Sequence, residues 1–389
     1  MAVLLDYTTV ITPEETLKRA SVLVGDSGKI EYIGQMESAP AVNAPHLDLR
    51  NLIVAPGLID IHVHGGKGIT FGDPETLAED LQEYSQWVVQ NGVTGFLTTI
   101  TAPSPEELAA MIRSFILEFK KGLPGAQGLG IHLEGPFMNI EKKGAQNPKW
   151  IRNPNLDEAK LLLKAGEGWI KQMTMAPELP DAYQVAGTLR EAGVSLAIGH
   201  SDADYDTAVK ALSSYWTHIT HTYNAQTGLH HRRPGIVGAV MGSDEITAEL
   251  IADLIHVHPG AMKALVRAIG TDRVVLVTDA MEAAGLPDGE YQLLGAKVTV
   301  SSGKATQEDG TIAGSSAVLN RCVRNMHFDV GMPLSESIKM ATLNPARVIG
   351  EAGKRGSLQV GKQADLIVTD KDMRIYMTMV NGKIVHSKF

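Results

Sequence analysis

The chain has 389 residues, 44% hydrophobic and 20% charged, with a net charge of -9. At roughly 100–200 residues per domain, this length accommodates two or three domains, or one large barrel with an appendage. The acidic balance excludes a nucleic-acid or anionic-membrane partner held by bulk electrostatics, and the single cysteine, Cys322, excludes an intrachain disulfide.

Cys322 lies in LNRCVRNM, which reads as a helix, and a small buried residue there is more natural than a nucleophile. No basic region followed by a long apolar stretch opens the chain, and no run approaches the ~18 apolar residues of a membrane span. The expectation is a soluble cytoplasmic protein. Residues 1–53 alternate short β-like runs (AVLLDYTTVIT, KRASVLVGD, GKIEYIGQ) with turns such as Asp26-Ser27-Gly28. From Val54 apolar runs alternate with helical segments, the pattern of parallel βα units.

Eight candidate strands fall near 58–64, 93–101, 128–134, 172–177, 195–200, 217–221, 248–256 and 273–279. Segments with helical periodicity lie between most of them, including 74–90, 105–121, 156–165, 179–192 and 259–268. This matches a (β/α)8 barrel of the TIM type. An open doubly wound sheet is the competing architecture, but no GxGxxG spacing follows a first strand. A loop and hairpin region then runs to about Ser315, followed by helices near 317–328 and 334–349. The tail from Gly356 returns to β texture, with Asn381-Gly382 as a hairpin signal. The expected organisation is a small β-sandwich-like domain from residues 1–53 plus 355–389, with the barrel catalytic domain, 54–354, inserted between.

Reactive residues of such a barrel belong at the C-terminal ends of its strands. His62 and His64 close the first strand, VAPGLIDIHVHGG, and alternation in a strand points both to one side. Glu134, His200, His221 and Asp279 close the third, fifth, sixth and eighth. Imidazoles with one carboxylate suit a divalent metal, zinc or iron. Such an ion can activate water against an amide, and a separate carboxylate must carry the proton to the leaving nitrogen. Asp279, with no histidine beside it, is the candidate. Arg232 and Arg233, next to His230 and His231, form the densest basic cluster near a strand end, suited to a phosphate. His256 is expected to face the site and His258 to start a helix. His132 reads as packing or support for the ligands. His218, three before His221, reads as packed on the opposite face.

Taken together, APGLIDIHVHG and GSLQVGKQADLIV resemble the amidohydrolase superfamily. HLEGPF, KKGAQNP, GHSDA, THTYNA, RRPG, IHVHP, VTDAM and IAGSS are similar to its amino-sugar 6-phosphate deacetylases, across essentially the whole chain. The resemblance implies Glu134, His200 and His221 as main metal ligands, His62 and His64 as holders of a second ion where one is bound, and Asp279 as catalytic acid/base. It also implies that Ala145, Asn224, Ala225, Arg232, His256, Ile312, Ala313 and Gly314 line the amino-sugar phosphate site. Some members carry histidine where this chain has Gln146, which leaves the role of that position open. The implied reaction is hydrolysis of the acetyl group of N-acetylglucosamine 6-phosphate to glucosamine 6-phosphate and acetate. The galactosamine epimer or another N-acyl amide is the alternative substrate, and a non-catalytic scaffold would not need to keep all these ligands. The resemblance further implies a homodimer, with a residue reaching into the neighbour's pocket.

Overall fold

The computed structural model describes residues 2–73 and 75–389. The expected helix 74–90 starts on a residue outside that set, and its described part is the helix Leu77–Val88. Eight parallel strands form one sheet in chain order: Leu58–Asp60, Val93–Ile100, Gln127–Glu134, Ile170–Met175, Ser195–Ile198, His218–Ile219, Thr247–Ile251 and Val274–Val277. They are called here the first to eighth barrel strands. Every residue of the second strand is buried, as a parallel strand covered on both faces requires.

The sheet closes on itself beyond the regular strand ends. Asp279 N donates to His62 O at 2.9 Å and His64 N to Ala280 O at 2.8 Å. At the opposite end, the first and eighth strands do not pair. The backbone of residues 340–341 fills the gap, Ala341 O accepting from Ile59 N and Met340 O from Leu276 N, at 2.9 and 2.8 Å.

The crossover helices carry their own start and stop signals. Pro105–Lys121 begins with Ser104 accepting from Glu107 N, has proline and acidic residues in its first turn, and ends on Lys120, Lys121 and Gly122. Its buried face, Leu108, Ile112, Phe115 and Phe119 among others, packs into the main core.

Both chain termini build a second, mixed sheet. Val3–Ile11 pairs with Thr16–Val24 and Ile53–Pro56, and Ile53–Pro56 pairs in turn with Leu366–Thr369. A separate core that includes Leu5, Val22, Val54, Leu366 and Met377 fills it. Asn381 and Gly382, both with positive φ, turn the last hairpin between Ile375–Val380 and Lys383–Ser387. The strand Ile53–Pro56 belongs to this sheet, and the first barrel strand starts one residue beyond it, after Gly57. Following the eighth strand, a three-stranded sheet (Gly289–Leu293, Ala296–Ser301, Lys304–Thr306) sits over the same rim as the strand ends. No helix among the described residues is long and apolar enough to cross a membrane.

Candidate metal centre and amide-hydrolysis site

Four of the strands stop short of the residues that converge, while the third ends on its own, Glu134. The first strand ends at Asp60, the fifth at Ile198, the sixth at Ile219 and the eighth at Val277. His200, His221 and Asp279 lie just beyond, each with left-handed φ of 48°, 24° and 48°. Such values are uncommon outside glycine and cluster where a site over-determines the backbone. Strand alternation therefore does not set the direction of these side chains. Gly199 lets the fifth strand end approach its neighbours: a Cβ there would sit 2.6 Å from Thr220 Cβ and 2.7 Å from Thr174 Cγ2.

Six side chains meet at the centre of the rim in two groups, Glu134–His200–His221 and His62–His64–Asp279. Glu134 Oε1 lies 3.0 Å from His200 Nε2, 3.1 Å from His221 Nε2 and 3.4 Å from His62 Nε2. His64 Nε2 is 3.2 Å from both Glu134 Oε2 and Asp279 Oδ1. Glu134 thus touches both groups and is placed to bridge them. All six are buried.

This arrangement fits a divalent cation on its own chemistry. His200 Nδ1 faces Lys142 O at 2.8 Å, so Nδ1 carries the hydrogen and Nε2 presents a lone pair. That lone pair meets His221 Nε2 at 3.1 Å, a contact that needs a proton or a metal ion between partners. His62 Nε2 is buried without a hydrogen-bond partner among the described residues. Burial opposes a charged imidazole, yet Asp279 and Glu134 outweigh it, pushing His64 up to about 9 and His62 well above its usual range. Burial likewise opposes the Glu134 carboxylate, and the surrounding imidazoles hold it well below the ordinary value. The centre favours positive charge, and a cation taken up there displaces protons.

Sequence reasoning missed Glu249. It sits in the seventh strand, fully buried, and collects four donors. His62 Nδ1 and His221 N approach Oε2 at 2.9 and 3.0 Å. Gln172 Nε2 and His218 Nε2 approach Oε1 at 2.6 and 3.2 Å. The available signal was a lone carboxylate inside the apolar run of ITAELIAD. His218 therefore points into the barrel, not to the opposite face, because the sixth strand ends two residues before His221. His132 supports rather than ligates: it lies between Thr99 Oγ1 at 3.2 Å and Thr174 Oγ1 at 2.8 Å.

A cavity of about 300 Å³ opens above the centre. His64, Glu134, His200, His221 and Asp279 form its floor, and Ala145, Gln146, Asn224, Ala225, His256, Ile312 and Gly314 contribute to its walls. Gln146 Nε2 donates to Glu134 Oε2 at 2.5 Å, so this side chain steadies the bridging carboxylate. His256 is held by Asp253 at 2.7 Å, and His258 caps the helix Pro259–Ile269 by accepting from Gly260 N. Two expected wall residues are elsewhere. Ala313 is fully buried in a small core with Met281, Leu293 and Val298, because alternate residues of that turn face the hairpin. Arg232 is exposed on a tight turn, its Nη1 2.8 Å from His231 Nε2, and it does not line the cavity of its own chain.

Comparison with known proteins gives the family. Residues 53–385 match the amidohydrolase family. The chain is 34% identical to the N-acetylglucosamine-6-phosphate deacetylase of Bacillus subtilis over 378 residues, 96% of this chain and 95% of that protein. It is 36% identical to the N-acetylgalactosamine-6-phosphate deacetylase of Escherichia coli over 333 residues, 85% of this chain and 87% of that protein. It also superimposes on a mutant N-acetyl-D-glucosamine-6-phosphate deacetylase from Mycobacterium smegmatis, solved in complex with N-acetyl-D-glucosamine-6-phosphate. That match has a TM-score of 0.91 and 31% identity, covering 100% of this chain and 99% of the other. The chain belongs to the amidohydrolase family, in its N-acetylglucosamine-6-phosphate deacetylase-type branch.

Proposed function

We propose that this chain hydrolyses the N-acetyl group of N-acetylglucosamine 6-phosphate, giving glucosamine 6-phosphate and acetate. The observation that carries the reading is the meeting of Glu134, His200, His221 and Asp279 on the floor of one cavity. A bound divalent ion, zinc or iron, would lower the pKa of a water and polarise the acyl carbonyl. Glu134, His200 and His221 would hold one such ion, and His62 and His64 a second.

Asp279 supplies the proton path. Burial opposes its charge, but His62 and His64 hold its carboxyl below the usual range, so it stands as a base. It takes a proton from the attacking water and returns it to the 2-amino nitrogen as the C–N bond breaks. Asn224, Ala225, His256, Ile312 and Gly314 position the sugar phosphate above the floor. Gln146 fixes the Glu134 oxygen nearest His64. The same proposal includes a small terminal domain joined to the barrel at Gly57, a homodimer that brings the exposed Arg232 to a second copy's cavity, and a cytoplasmic setting consistent with one buried free thiol.

The 36% identity to an N-acetylgalactosamine-6-phosphate deacetylase keeps the epimer as a second reading. Turnover of the two sugar phosphates side by side decides between them. A higher kcat/KM on the glucosamine compound supports the proposal, and equal or reversed preference removes it.

A further inference from the structure

A second cavity, about 520 Å³, lies on the same rim. Its walls follow directly from the catalytic segments. Phe71 comes after the first strand, Thr101 after the second, and Trp150 after the loop of Gln146. The helix Pro105–Lys121 adds Met111, Ser114 and Phe115. One residue, Leu294, lines both cavities. It stands at the tip of the hairpin between Leu293 and Ala296, with φ 51°, and the strand it ends is latched by Gln292 N donating to Glu282 Oε1 at 2.5 Å.

Two observations say what this space accepts. Its lining is mainly apolar, and its charged members among the described residues are Asp73, Glu107 and Glu282, with no lysine or arginine, so it disfavours a phosphate. Finally, the cavity lies beside the first and second strands, whereas Asn224, Ala225 and His256 follow the sixth and seventh, across the barrel. An amide held over the central groups, with its sugar phosphate toward the sixth and seventh strands, directs its acyl carbon toward Leu294 and this space.

We propose that the cavity behind Leu294 is an acyl subsite that takes N-acyl groups longer than acetyl on an amino-sugar 6-phosphate. The inference rests on the amide-hydrolysis reading above. The reaction is the same: water adds its hydroxyl to the acyl carbon and its remaining proton to nitrogen, releasing a medium-chain carboxylate and the amino-sugar phosphate. Leu294 forms the gate between the two spaces.

The test compares N-acetyl- and N-hexanoyl-glucosamine 6-phosphate on the metal-loaded wild-type chain, Leu294→Ala and Ser114→Trp. The expected result is a wild-type kcat/KM for hexanoyl within about tenfold of acetyl, a higher hexanoyl-to-acetyl ratio in Leu294→Ala, and a ratio at least tenfold lower in Ser114→Trp, where the indole fills the space. An unchanged ratio in Ser114→Trp, or rejection of hexanoyl by both wild type and Leu294→Ala, overturns the subsite. Absence of any N-acetyl turnover by the wild type would instead overturn the reading in the preceding subsection. In that event calorimetry on the same proteins decides: hexanoyl binding at least tenfold tighter than acetyl in wild type, and not in Ser114→Trp, supports the subsite, and equal affinities sink it.

Discussion

His62 Nδ1 and Glu249 Oε2 are 2.9 Å apart, and neither side chain is exposed to solvent. The carboxylate fixes the imidazole with its hydrogen on Nδ1, leaving Nε2 to face Asp279 and Glu134. The same oxygen accepts the backbone N–H of His221, so one anion steadies a member of each group that could hold an ion. Burial would push Glu249 up, but His62 and His218 hold it well below the usual range. Partners behind metal-binding imidazoles typically contribute 10–100-fold to affinity. Glu249→Gln puts an amide N–H₂ against groups that now donate to oxygen. Metal affinity, measured by chelator competition, is expected to fall by about 10–100-fold. Unchanged affinity would mean that packing alone orients His62.

Asp279 stands 3.4 Å from His62 Nε2 and 3.2 Å from His64 Nε2. The Glu134–His200–His221 group does not include it. Asp279→Asn keeps the shape and removes the base. Turnover is expected to drop by roughly 10²–10⁴-fold, while metal analysis still finds the ion held by the other group. Near-normal turnover would place the proton carrier elsewhere.

The buried pair of Asp253 and His256, 2.7 Å apart, gives a pH signature. Burial disfavours charge on both. Nonetheless the hydrogen bond and opposite charge raise His256 above 6.5 and lower Asp253 below 3.8. A raised imidazole contributes stability that is complete below its unfolded value and is lost as pH rises through the folded one. A lowered carboxylate contributes stability present above its unfolded value and lost as pH falls through the folded one. Both terms therefore act together between the two unfolded values. Asp253→Asn keeps the Oδ1 caps on the backbone of Ile255 and His256 but removes the charge. The stability deficit in urea unfolding is expected to be about 3 kcal/mol near pH 5–6, shrinking toward alkaline pH. A deficit independent of pH would show that the pair is not ionic.

How much of this was legible follows from which physical signal each feature leaves. Apolar runs and capped amphipathic segments marked the barrel, and Asn381-Gly382 marked the last hairpin, because these are local rules. The strand-end histidines and carboxylates stood out because such a residue closing an apolar run is rare. Their convergence depends on something the residues do not spell out: the left-handed turns at His200, His221 and Asp279. Extending strand alternation through His221 turned His218 the wrong way. Glu249 was hidden because a buried anion is recognised by its four donors, which come from distant segments. The filling of the barrel seam by Met340 and Ala341 is a backbone contact, with no side-chain signature.

Arg232 supplies the last prediction. Among the described residues, no lysine or arginine lines the 300 Å³ cavity of the chain that carries it, and Arg232 projects outward beside His231. A phosphate gains from a guanidinium through paired, charge-assisted hydrogen bonds. Such contacts contribute about 1.5–3 kcal/mol each. In the proposed dimer this charge comes from the other copy. Arg232→Ala should then raise KM for the phosphorylated substrate by about tenfold or more and leave the unphosphorylated sugar untouched. Mixed dimers separate the two geometries. A subunit carrying Arg232→Ala keeps its Asp279, and a partner subunit carrying Asp279→Asn keeps its Arg232. If the arginine acts across the interface, mixing the two variants restores a fraction of low-KM activity that neither shows alone. If it acts within its own chain, the mixture performs no better than the separate variants, because the only subunits with a working proton carrier still lack their arginine.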